Sequence, residues 1–93
     1  MVLGTLEVEL IVAESHSLKA RRRVVRSLKD RIRSRFNVSV ADVGDQDLWQ
    51  RISLGVAVVT NDRRFADEVL AKVLDVIGMD ARVDIVSETR RVE

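Results

Sequence analysis

The chain opens on a period of two. Val2, Leu6, Val8, Leu10 and Val12 fall on one side of an extended segment and Thr5, Glu7 and Glu9 on the other, the pattern of a strand with one face in a core and one in water. Between Ser17 and Phe36 the period changes. At about 100° per residue Leu18, Val25, Leu28, Ile32 and Phe36 share one arc with Val24 at its margin, which predicts a helix over residues 17 to 36. Ser17 is placed to cap it, its hydroxyl accepting from a free amide of the first turn. From Asn37 to Ala41 the period returns to two, with Val38 and Val40 inward. The turn cluster Gly44-Asp45-Gln46-Asp47 follows, and then Ile52, Leu54, Val56 and Val58 alternate with Ser53, Gly55, Ala57 and Val59, so these segments form a hairpin. Thr60-Asn61-Asp62 supplies caps for a second helix, in which Phe65, Val69, Leu70, Val73, Leu74 and Ile77 recur at three and four and Gly78 is the stop. Ala81, Val83, Ile85 and finally Ser87 then alternate with Arg82, Asp84, Val86 and Glu88 in a last strand.

The predicted order is β-α-β-β-α-β, the split unit of an α+β ferredoxin-like sandwich, with residues 1–93 forming one domain. Right-handed crossovers put the first and third strands in the centre of a four-stranded antiparallel sheet and both helices on one face. The other face would carry Thr5, Glu7, Glu9, Ser39, Ala41, Ser53, Gly55, Ala57 and Val59. Such a surface is small, flat and partly apolar, so a second copy of the chain is expected to cover it, with Ser53, Gly55, Ala57 and Val59 in the interface of a homodimer. Trp49, the single tryptophan, either staples the hairpin to the edge of the domain or anchors that partner.

Charge changes the picture more than composition does. The chain is nearly neutral, at +1. Yet Lys19, Arg21, Arg22, Arg23, Arg26, Lys29, Arg31, Arg33 and Arg35 all lie in the first predicted helix against the lone acid Asp30, which leaves the remainder acidic. Lys19, Arg22, Arg23, Arg26 and Arg33 project opposite the apolar arc. Over about 18 residues the rod is roughly 27 Å long, enough to follow several phosphates of a nucleic acid. Arg21 points into the apolar arc, and its stem is expected to lie on the core while the guanidinium reaches water or a carboxylate. A helix start favours acids, whereas this one is crowded by Lys19, Arg21 and Arg22. An anion held there with His16 would reverse that penalty, and a solvated basic face balanced by acids elsewhere is the alternative.

Other chemistry is sparse. Without cysteine the chain has no disulfide, thiol nucleophile or thiolate metal site. It has neither an 18-residue apolar run nor a signal-peptide pattern, so no membrane contact is expected and the cytoplasm is the expected location. His16 between Ser15 and Ser17 lacks a third group to orient the imidazole, and no catalytic residue is assigned. Asp42, Asp45 and Asp47 miss the calcium-loop pattern and read as turn chemistry, so neither metal nor cofactor is expected. Glu7 and Glu9 read as a solvated strand face or as partners of Arg82 or Arg51.

Several spaced blocks resemble one family. His16-Ser17-Leu18-Lys19 with Arg21-Arg22, Arg35-Phe36-Asn37-Val38-Ser39-Val40-Ala41, Trp49-Gln50-Arg51 and Leu54-Gly55 are similar to the small bacterial YlxP-like proteins, over roughly residues 1 to 78. Asp42 and Ile52 stand where similar sequences carry Glu and Ala. The resemblance implies a ferredoxin-like fold and a cytoplasmic bacterial protein, often encoded near transcription and translation factors, and implies no activity. Taken with the charge pattern, the expected function is a non-enzymatic binding module contacting RNA phosphates through helix 17 to 36, on ribosomal RNA or its maturing particle, with His16, Lys19, Arg22, Arg23, Arg26 and Arg33 as the anion-binding set. The alternatives are a phosphate-ester or acyl-phosphate hydrolase using an anion site at the start of that helix, and a structural homodimer that binds another protein.

Overall fold

The computed structural model describes residues 1–13 and 17–93. Its elements are β1 (Val2–Val12), α1 (Leu18–Arg35), β2 (Ser39–Asp42), β3 (Arg51–Thr60), α2 (Arg63–Gly78) and β4 (Val83–Val92). They build one antiparallel sheet in the order β2-β3-β1-β4. This is the βαββαβ arrangement expected from the alternation of periods, with β1 and β3 central.

Leu6, Val8, Leu10 and Val12 of β1 and Ile52, Leu54, Val56 and Val58 of β3 form the floor of the core. Val24, Val25, Leu28 and Ile32 of α1 and Ala66, Leu70, Val73, Val76 and Ile77 of α2 close it from above. Each large aliphatic side chain so placed contributes roughly 1.5–3 kcal/mol relative to exposure. Caps define the helix ends. Ser17 Oγ accepts from the Ala20 N–H at 3.1 Å, and Asp62 Oδ1 accepts from the amides of Arg64 and Phe65 at 2.9 and 3.3 Å. No described helix is long and apolar enough to cross a membrane.

The structure departs from the sequence pattern in three places. Phe65 was expected on the buried stripe of α2, but it is exposed and Ala66 is buried instead. The reason is a close approach of helix to strand. A Cβ at Gly4 would sit 2.9 Å from Val58, 3.1 Å from Leu70 and 3.2 Å from Ala66, so the contact accepts a glycine and an alanine and has no room for a phenyl ring. The second strand starts at Ser39 rather than Asn37, and Val38 packs on the core from the connection before it. Finally, β4 carries a bulge at Val86: Leu10 pairs with Ile85 and Glu9 with Ser87. Ser87 therefore lies on the open face rather than the core side. Glu88, Arg90 and Val92 share the helix side with Val83 and Ile85, while Thr89 and Arg91 join Ser87.

Candidate nucleic-acid interface

The amphipathic pattern of α1 sorts its basic residues by direction, and the tertiary contacts then sort them by whether they are engaged. Lys19, Arg22, Arg23 and Arg26 are exposed and have no hydrogen-bond or ion-pair partner among the described residues. Arg33 is also exposed, but its Nη2 donates to the Val40 carbonyl at 3.0 Å, so it is partly engaged in tying α1 to β2. His16 lies outside the described residues, and with it the proposed anion site at the helix start. Arg22, Arg26, Lys29 and Arg33, with Asp30 among them, border a groove whose far bank is Asp42, Gln46 and Asp47 of the hairpin.

Arg21 is the anchor of that groove. It is 2% exposed, and four of its five guanidinium N–H groups are hydrogen-bonded. Nη1 donates to Asp42 Oδ2 at 2.7 Å and Nη2 to Asp42 Oδ1 at 3.3 Å, Nε donates to the Arg51 carbonyl at 3.0 Å, and Nη2 reaches the Asp45 carbonyl at 3.4 Å. The planar fork matches the carboxylate bidentately and leaves donors for the hairpin backbone, an arrangement an ammonium cannot reproduce. Asp42 is thus an ion-pair partner at the end of β2, not a turn residue. Asp45 does serve the turn, accepting from the Asp47 N–H at 2.9 Å.

The open face of the sheet gathers the residues expected there. Ser53, Gly55 and Ala57 are half-buried and Val59 is 63% exposed. Val43 folds over Gly55, where an added Cβ would stand 3.0 Å from it. Glu9 is engaged neither by Arg82 nor by Arg51; its Oε1 accepts from the Ser53 hydroxyl at 2.6 Å, across the β1–β3 pair. Trp49 does not staple the hairpin to the domain, since it is 51% exposed beside the exposed Leu48. Along β1 and β3 the outward side chains are Leu3, Thr5, Glu7, Glu9, Ile11, Arg51, Ser53, Gly55, Ala57 and Val59, without an aromatic on which a base would stack.

Comparison with known proteins places the chain in a family. The description "Protein of unknown function (DUF503)" matches residues 3–90. The chain belongs to the DUF503 family. This agrees with the resemblance carried by its motifs and extends it into β4. The DUF503 chain is 38% identical over 73 residues to the "Uncharacterized protein YlxP" of Bacillus subtilis (strain 168), a match spanning 78% of this chain and 79% of that relative. Among solved structures, a de novo designed protein with ferredoxin fold, determined by solution NMR, superposes with a TM-score of 0.55 and 14% identity, covering 100% of this chain and 88% of that one. That likeness bears on the fold alone.

The DUF503 fold also holds an ion cluster that the sequence reading did not single out. Asp80, in the link between α2 and β4, is buried. Its Oδ1 accepts from the backbone N–H and the Nε of Arg82, both at 2.9 Å, and its Oδ2 accepts from Arg82 Nη2 at 2.6 Å, with Arg31 Nη1 at 3.8 Å. Arg82 Nη2 donates further to Ser27 Oγ at 2.9 Å, so the cluster binds the end of α2 to α1. The available signal was an aspartate after a helix with an arginine two residues on, the spacing of an Asx turn. Hydrogen bonds from Arg82 hold the Asp80 carboxyl below its ordinary value of 3.8, against the opposing effect of burial. A carboxyl lowered in the native state contributes stability that is fully present above the unfolded value and lost as pH falls through the native one. The expected result is an acid limb below about pH 4 in thermal melts. Asp80→Asn should lower stability by about 1–3 kcal/mol at neutral pH and flatten that limb, and an unchanged limb would assign the acid sensitivity to other carboxylates.

Proposed function

We propose that this protein is a cytoplasmic, non-enzymatic RNA-binding module that uses the solvent face of α1 to contact phosphates, on ribosomal RNA or its maturing particle. The observation that supports this reading is the division of labour among the arginines. Arg21, Arg31 and Arg82 are consumed by carboxylates, whereas Lys19, Arg22, Arg23 and Arg26 face solvent from a rigid helix with no partner among the described residues. Cations held at fixed spacing and joined in no ion pair among the described residues suit a phosphate backbone, and releasing its counterions is the main driving force for binding. The absence of aromatics from the outward positions of β1 and β3 argues for backbone contact rather than base readout.

Affinity for unrelated RNA sequences is therefore expected to be similar and to fall steeply with salt. Replacing Arg22 and Arg26 together by Ala should weaken all of them alike and reduce the slope of log affinity against log salt by about one to two units. Both residues are exposed and have no ion-pair or hydrogen-bond partner among the described residues, so the melting temperature should change little. Binding titrations over a salt series decide it: an unchanged slope in the double variant, or no binding by the wild type at low salt, excludes the helix as an RNA surface.

A further inference from the structure

The sheet has two edges, and only one of them is closed off. At β2 the strand is four residues long and Arg33 Nη2 occupies the Val40 carbonyl. At β4 the strand is ten residues long, and nearly all of its side chains are exposed. The hydrogen-bond phase along β4 follows from its end. Leu3 and Glu93 exchange both backbone bonds at 2.8 Å, so in an antiparallel ladder Thr5–Arg91 and Glu7–Thr89 are also bonded pairs, and the amides and carbonyls of Val92, Arg90 and Glu88 point away from β1. The Val92 carbonyl accepts from Arg63 Nη1 at 3.2 Å, while the outward groups of Glu88 and Arg90 have no partner among the described residues.

We propose that two copies of the chain pair antiparallel through β4, with Glu88 of each opposite Arg90 of the other, joining the two sheets into one of eight strands. A second copy is the occupant because the strand is self-complementary in charge: Glu88 and Arg90 stand two residues apart on one face, and Arg90, whose Nε lies 3.4 Å from Asp67 Oδ1 of α2, keeps other donors for Glu88. Pairings that use the outward backbone groups of these two residues place Glu88 against Glu88, Arg90 against Arg90, or Glu88 against Arg90. The first two set like charges directly across from each other, which is destabilising, and the third sets two opposite pairs about a dyad at Thr89. In that register Ser87 faces Arg91, and Val86 faces Val92. A dyad normal to the sheet keeps the helices of both copies on one side, so the two basic α1 surfaces face the same way.

Sedimentation at micromolar concentration should give twice the 10.5 kDa chain mass. Glu88→Arg and Arg90→Glu should each weaken association by about tenfold or more through like-charge contact, and the combined Glu88→Arg/Arg90→Glu variant, which exchanges the signs, should restore it. In the wild type, hydrogen exchange at the Glu88 and Arg90 amides should slow as concentration rises. A monomer at all concentrations, or exchange at these two amides independent of concentration, overturns the proposal. So does a dimer that tolerates both single substitutions and is broken by Ala57→Arg, which would place the contact on the open face of the sheet.

Discussion

Asp42→Ala is expected to destabilise the protein by about 3–5 kcal/mol, a large part of the total stability of a domain this size. The substitution leaves Arg21 with two backbone carbonyls and no counter-charge in a place where water does not reach it. Most of the loss is the penalty of that stranded charge rather than the worth of the ion pair itself. Removing both charges should therefore recover much of it. Arg21→Met/Asp42→Leu, which keeps the volume roughly constant, is expected to melt well above the single variant. Chemical denaturation of the single and double variants completes the cycle. If the two single losses simply add in the double variant, the pair is not coupled and the hairpin is held by other contacts.

Leu28→Ala should cost about 2–5 kcal/mol, because it empties a fully buried position in the middle of the α1 stripe, between the helix and the strands beneath. Arg26→Ala, two residues earlier on the solvent side, removes no hydrogen bond or ion pair among the described residues and should stay within about 0.5 kcal/mol. For a chain of this length each kcal/mol moves the melting temperature by about 4–8 °C, so the two variants separate clearly in a thermal melt. Equal shifts would mean that α1 is turned about its axis relative to the arrangement described.

These two experiments probe different kinds of information. The Leu28 result follows from periodicity, which is local: a helix repeats every 3.6 residues and a strand every two, so residues close in sequence already show which side faces the core. The order of elements, the ferredoxin-like topology, the central pair of strands and the polarised basic helix were all legible for that reason. The expected placement of Arg21, stem on the core and head toward water or a carboxylate, came from the same angle.

Which carboxylate answers Arg21 was settled only by the fold, because Asp42 lies 21 residues away and arrives through β2. The same holds for the cations left free on α1. Arg33 and Arg26 look equivalent on a helical projection, and they differ because one of them has a strand carbonyl within reach. Glu9 found a serine across the β1–β3 pair rather than an arginine, for want of an arginine opposite it on that face. The bulge at Val86 and the displacement of Phe65 are packing outcomes, in which close approach at Gly4 and a shift of register between β1 and β4 override the local alternation. Sequence by itself determined which faces are apolar and where positive charge gathers. Tertiary structure decided which of those charges are spent on the fold and which strand edge is left open, because both depend on groups brought together from distant parts of the chain.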